Sequence, residues 1–387
     1  MKNILVIIIF SITITFQHFF FNHAGVEKSE IVVLEDSVLT ATLCFTGDLM
    51  CHSTQFNYAK VDADSFDFTG VYREVKKYLS AADLTVGNLE TVIAGQKKGY
   101  SGYPYFNAPD DFVYALKDAG FDLLITANNH ALDQGWDGVK RTIDVINENK
   151  IHHTGTFISQ EDRDSIRIFD INSIKIAVLA YSENTNGLPI PKGKDFVINL
   201  IDEGLVKRDI SKARELNVDI VLVHIHYGPE YNREPSEYQK EIVQKIIELG
   251  ADIIIGGHPH VVQPVDFFKT NNTKLDSGFV AYSMGNFISN QRWRYSDAGV
   301  ILNIQISKKI LTDSIYISEV NYLPTWVFKG QTEEGREYII LPSGITEDDS
   351  TYTYLTKNDW TLLKQSFNDT KEIINKYSIN SRIKLVK

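Results

Sequence analysis

Nearly every short apolar run between residues 43 and 260 stops at side chains able to ligate a divalent metal ion. Leu43-Phe45 is followed by Gly47-Asp48, Leu84-Val86 by Asn88 and Glu90, and Leu123-Thr126 by Asn128, Asn129 and His130. The run beginning at Ile220 reaches His224 and His226, and Ile253-Ile255 is followed by His258 and His260. Together with Ile176-Ala180 and Phe279-Ser283, these runs are too continuously apolar for a half-exposed sheet, which predicts central strands covered on both faces. In an α/β sheet the carboxyl ends of the strands line one crevice, so topology would carry the five clusters to one edge.

The intervening segments have helical spacing. Val71, Val75, Tyr78 and Leu79 form one apolar stripe; Phe112, Ala115, Leu116 and Ala119 form a second; Trp136, Val139, Ile143 and Ile146 form a third. A helix over about 237–249 is announced by the capping-box pair Ser236 and Gln239 and stopped by Gly250. Strands alternating with helices define an α/β layered domain. Beyond Asn303 the pattern turns β-rich at Ile304-Ile306 and Ile315-Ile317, then helical over about 358–377.

Extended backbone directs residues i and i+2 the same way, so Asn88 with Glu90, His224 with His226, and His258 with His260 can each aim two side chains at one point. Imidazoles with carboxylates suit borderline ions such as Mn, Fe or Zn, and no Cys pair points to a structural zinc site. The set is too large for one tetrahedral shell. Two divalent metal ions would use it, an arrangement suited to phosphoryl displacement. Blander readings stand beside this one: Asp48 as a helix cap, Asn128 as a turn residue with positive φ, and His224 as a buried histidine supporting the site.

Six ordered strings carry a family resemblance: Thr46-Gly47-Asp48-Leu49-Met50, Gly87-Asn88-Leu89-Glu90, 127–133 (ANNHALD), 226–231 (HYGPEY), Gly257-His258-Pro259-His260 and 282–287 (YSMGNF). They resemble the motif set of the CapA family of poly-γ-glutamate capsule synthesis, within the calcineurin-like metallophosphoesterase superfamily. The resemblance implies a four-layer αββα sandwich with the metal site at strand carboxyl ends, over residues 40–330. It also implies metal ligation by Asp48, Asn129, His226, His258 and His260. His130 matches the imidazole beside the ligand amide and is expected to act as a general acid; Asp133 either orients it or caps the next helix.

Two departures from the superfamily pattern matter. Leu49-Met50 follows Asp48 where a DxH pair is usual, and the second motif reads Gly87-Asn88 rather than GD. Glu90 is therefore expected to supply the missing carboxylate, and His52 is a weaker candidate for the missing imidazole. Asn88, Glu230, Arg292 and Arg294 are expected to contact substrate, the two arginines by clamping an anion.

Residues 4–21 are apolar after a single positive charge at Lys2, as in an export signal or an uncleaved anchor. The weak cleavage pattern after Ala24 favours an anchor at the extracytoplasmic face of the cell membrane, with secretion as the alternative. Residues 1–24 thus form the signal or anchor, 25–39 a spacer, 40–330 the main domain and 331–387 an extension packed on it. A net charge of −11 and the absence of a basic cluster argue against nucleic acid as a partner. Two cysteines, Cys44 and Cys51, do not make a disulfide framework. Two functions follow: a metal-dependent hydrolase acting on a phosphoester or an anionic polymer, or a non-catalytic accessory partner of the other membrane subunits of a poly-γ-glutamate synthase.

Overall fold

Alternation along the first strand assigns two of the molecule's layers. In β1 (Val38–Leu49) Leu43 and Phe45 face one side while Cys44 faces the other, as the period of two requires. The computed structural model describes residues 37–377 and 382–386. The expected export segment and all of the expected spacer before Ser37 lie outside the described residues.

The remaining strands are β2 (Leu84–Leu89), β3 (Leu123–Ile125), β4 (His152–Thr154), β5 (Arg167–Ile171), β6 (Ile174–Ser182), β7 (Ile220–His226) and β8 (Ile253–Gly257). They continue as β9 (Val265–Phe268), β10 (Gly278–Ala281), β11 (Asn286–Ile288), β12 (Ala298–Lys309), β13 (Ile315–Thr332), β14 (Gly335–Pro342) and β15 (Ile383–Leu385). One sheet has the order β14-β13-β12-β1-β2-β3-β4, with β11 paired to β1 and β15 to β13; the other runs β5-β6-β7-β8-β10-β9. β1, β2 and β3 are mutually parallel in the first sheet, as are β6, β7 and β8 in the second. All the ligand-bearing strands therefore end on the edge that parallel pairing dictates.

The sheets pack face to face. Leu43, Phe45, Val86 and Ile125 of the first share a core with Ile176, Val178, Leu222 and Ile255 of the second. Each such side chain contributes about 1.5–3 kcal/mol by leaving water. Outside the first sheet, Cys44, Leu49 and Leu124 pack on Val71, Leu79, Phe112 and Leu116. Outside the second, Val221, Val223 and Ile254 pack on Val206 and Ile210 of helix Glu203–Glu215 and on Val243 and Ile246 of helix Glu237–Leu249. The result is the expected four-layer αββα sandwich.

Several elements differ from expectation. The stripe at 71–79 is divided between two one-turn helices, Thr69–Tyr72 and Lys76–Leu79, yet Val71, Val75 and Leu79 are still buried. Helix Glu203–Glu215 differs from expectation because most of its residues are polar, and its buried face combines Val206, Ile210 and Ala213 with a carboxylate, Asp209; Asp202 caps it by accepting from the Leu205 N–H at 2.8 Å. The expected boundary at 330 falls inside β13, which runs to Thr332 and pairs with β14. Trp360 and Leu363 of helix Lys357–Ile374 then pack on Trp326, Phe328, Ile339 and Leu341. Cys44 and Cys51 are buried free thiols, and burial pushes the Cys44 thiol up to about 12. Among the described residues, no helix is long and apolar enough to cross a membrane.

Candidate metal centre

The end of β1 is irregular where it matters. Its register against β2 shifts between Phe45 and Asp48, and against β11 between Asp48 and Leu49; such bulges re-aim side chains. Gly47 permits the approach, since a Cβ there would lie 1.9 Å from the Gly285 carbonyl oxygen. Asp48 is thereby turned inward, fully buried, with its own N–H donating to Gly285 O at 2.9 Å.

Around Asp48 the donors assemble in two groups. Asp48, Glu90 and His260 can place ligand atoms within 4.8 Å of one another, and so can Glu90, His226 and His258. Glu90 belongs to both. Its carboxylate is fully buried, and neither oxygen has a hydrogen-bond partner. A buried carboxylate without donors is expensive unless a cation meets it, so the donor set fits a divalent metal ion. His226 Nε2 lies 3.1 Å from His258 Nδ1, 2.8 Å from Asn129 Oδ1 and 3.4 Å from Glu90 Oε1. Three side chains from separate strand ends thus converge on Nε2 of one histidine. Glu230, exposed at the rim, forms a third possible group with His258 and His260.

The protonation states follow from burial and charge. Burial pushes Glu90 well above the usual carboxylate range, and the neighbouring Asp48 charge pushes the same way. Burial would also raise Asp48, but the His260 hydrogen bond and the nearby imidazoles outweigh it and hold this carboxyl below its ordinary value. Burial lowers His226 to about 3 and His224 to about 3, leaving both neutral and able to ligate. In His260 the burial effect is overcome by Glu90 and Asp48, which lift it to about 9. Its Nδ1 faces two acceptors, Asp48 Oδ2 and Asn286 Oδ1, each at 3.1 Å. That environment places a proton on Nδ1 and leaves Nε2, 3.8 Å from Glu90 Oε1, for a metal.

His130 stands beside the donors and is not one of the grouped ligands. Its Nδ1 is 2.8 Å from Asp133 Oδ2, which also accepts from the Phe106 N–H at 2.8 Å. Asp133 thus orients His130; helix Gly135–Glu148 starts from Gln134 with no side-chain cap. The Phe106 ring meets His130 edge-on at 4.7 Å and His52 at 5.1 Å. His52 caps helix Ser53–Ala59 through a reciprocal pair with Gln55. It joins none of the metal-capable groups. His224 is buried below the site with Nδ1 unpartnered.

Four expectations change. Asn88 lies among the donors: its amide donates to Asp48 Oδ1 at 2.7 Å and meets His226 Nδ1 at 3.1 Å, so it holds two metal-capable side chains. Arg292 donates to the Val327 carbonyl and lies over the Trp326 ring, a hydrogen bond and a cation–π contact both made to β13. Arg294 makes a bidentate pair with Asp369 at 2.8 and 2.9 Å, so its charge is already met. Asn128 has no positive φ; positive φ occurs instead at His258 (93°) and His260 (57°). Asn128 closes its loop by donating to Leu89 O at 2.8 Å and accepting from the His130 N–H. Two contributors escaped the sequence reading. Asn286 stood in the 282–287 string without a role of its own, and Phe106 had no signal at all.

The molecule is thus a four-layer αββα sandwich with a buried imidazole and carboxylate cluster at the ends of its parallel strands. Residues 42–291 match the family described as Bacterial capsule synthesis protein PGA_cap, and the chain belongs to that family. It is 32% identical to a Capsule biosynthesis protein CapA of Bacillus anthracis over 69% of this chain and 64% of that protein. The chain therefore spans just under two thirds of that relative's length. It is 29% identical to a PGA biosynthesis protein CapA of Bacillus subtilis (strain 168) over 75% of this chain and 74% of that protein. Among solved structures, the NAD nucleotidase of Haemophilus influenzae aligns with a TM-score of 0.47 and 14% identity over 90% of this chain and 57% of that one.

Proposed function

We propose that this capsule-synthesis protein holds two divalent metal ions, Mn, Fe or Zn, and performs hydrolase chemistry at them outside the cytoplasmic membrane. The observation that carries the reading is Glu90, a buried carboxylate with no hydrogen-bond partner that is shared by two donor groups. Asp48 and His260 would complete one metal's shell, and Asn129, His226 and His258 the other's. Bound metals would supply Lewis acidity to an ester oxygen. Asn88 and Asn286 orient Asp48, His226 and His260 through the hydrogen bonds given above. Asp133 fixes the Nδ1 proton of His130, so Nε2 is the atom that exchanges a proton with substrate. The export part of the reading is supported by the apolar run at 4–21. Poly-γ-glutamate and the other membrane subunits of its synthase are the proposed biological context, supported by the CapA relatives.

Metal analysis of the purified protein tests the centre. We expect one to two divalent ions per chain, lost in the double variant Asp48→Ala with His260→Ala. A wild-type chain without bound metal would refute it. In the host, deletion of the gene should remove surface polymer, and rescue by the double variant would leave a structural subunit in place of a hydrolase.

A further inference from the structure

An amide ligand can face a metal ion the wrong way round. In one orientation Asn129 offers a cation its Oδ1; rotated by half a turn it offers an NH2 group, whose protons repel the ion. The hydrogen bonds of Asn88 and Asn286 hold Asp48, His226 and His260, and Asn129 is held from another side. Its Nδ2 donates to Asn186 Oδ1 at 3.2 Å, which leaves its Oδ1 facing His226 Nε2 at 2.8 Å. A metal taking His226 Nε2 would displace the second of these contacts. The Asn186 acceptor would then be left to keep the amide oxygen forward.

Asn186 lies in the exposed loop after β6, and the strand that carries His226 fixes where that loop sits. The Glu183 N–H donates to His226 O at 2.8 Å, and Glu183 Oε2 accepts from the Gly228 N–H at 2.7 Å. Asn186 and Gly187 have φ of 52° and 73°, and the Leu188 N–H donates to Thr185 O at 2.9 Å, closing a tight turn. Asn and Gly suit two successive positive φ values, so the turn alone could account for an asparagine here. It does not account for the side chain, whose Oδ1 meets a ligand amide 57 positions away while Asn184 Oδ1 accepts from the Asn186 N–H at 2.9 Å. We propose that Asn186 is a positioning residue of the metal centre: by accepting from Asn129 Nδ2 it fixes the amide with Oδ1 toward the ion shared with His226 and His258. This inference rests on the metal-centre reading above.

Two substitutions separate the turn from the acceptor. Asn186→Gly keeps a residue suited to positive φ and removes the acceptor, whereas Asn186→Asp keeps both. Calorimetric titration of the metal-free, full-length chain with Mn should show the ion on the Asn129 side weakened about 10- to 100-fold in Asn186→Gly, the usual cost of losing a group that orients a ligand. Asn186→Asp should bind it at least as tightly as wild type. In Mn-soaked crystals of Asn186→Gly, the anomalous peak at Asn129, His226 and His258 should fade while the peak at Asp48 and His260 stays. Unchanged Mn affinity in Asn186→Gly, an equal loss in Asn186→Asp, or equal weakening of both ions would overturn the proposal and leave the metal centre in place. So would an Asn186→Gly chain found unfolded by urea titration in chelator, since the residue would then serve the turn. A wild-type chain that binds no Mn would overturn the metal-centre reading and this proposal with it.

Discussion

Replacing Glu90 with Gln should stabilise the metal-free protein and abolish its response to metal, two effects of opposite sign from one side chain. Glu90 is fully buried without a hydrogen-bond partner, and burial together with Asp48 raises its carboxyl well above the usual 4.5. The unfolded chain releases this proton as pH rises through its ordinary value, while the folded metal-free protein retains it. A raised folded pKa contributes stability at low pH that is lost as pH climbs. Each pH unit spent in that window costs about 1.4 kcal/mol. Glutamine has the same shape and no proton to lose, so the stability difference between variant and wild type should be smallest below pH 4.5 and grow with that slope above it. With metal the order reverses, because free Mn at 100 times its dissociation constant stabilises a binding protein by about 2.7 kcal/mol. Urea unfolding from pH 4 to 8, in chelator and in Mn, reads both effects. A pH-independent difference, or an undiminished metal response in Glu90→Gln, would refute the reasoning.

Replacing His130 with Ala should cut turnover by about 10² to 10⁴ while metal content stays constant; loss of both would make His130 a ligand. Metal loading should release protons, since burial and the Asp48 charge hold Glu90 protonated well above its ordinary range in the metal-free protein. Calorimetry in buffers of different ionisation enthalpy measures this, and buffer-independent heats would contradict it. Asp209 is buried and binds Arg163 at 2.6 and 3.0 Å and the Tyr181 hydroxyl at 2.8 Å, so Asp209→Ala should cost up to about 3–5 kcal/mol by leaving the buried guanidinium only the exposed Asp164 carboxylate at 3.1 Å. Denaturant unfolding would show it, and a change below 1 kcal/mol would mean water reaches Arg163.

Local patterns in the chain carry much of this protein. Continuous apolar runs made β1, β2, β3, β7 and β8 legible, and polar side chains at their ends marked Asp48, Glu90, Asn129, His226, His258 and His260, which the fold brings together. Those signals are local because strand period and burial act over a few residues. Pairing across the molecule is not local. Arg294 and Asp369 are 75 positions apart, and Arg292 and Val327 are 35 apart, so nothing in 290–295 shows that both arginines are engaged. The register shift at Asp48 places it beside Asn88, which converts Asn88 from a candidate substrate contact into a brace for Asp48 and His226. Asn286 and Phe106 reach His260 and His130 only because β11 pairs with β1 and the 100–107 loop folds over Asp133. Sequence determined which residues could serve a metal centre; tertiary packing decided which of them meet it, because register and long-range pairing depend on the whole sandwich closing at once.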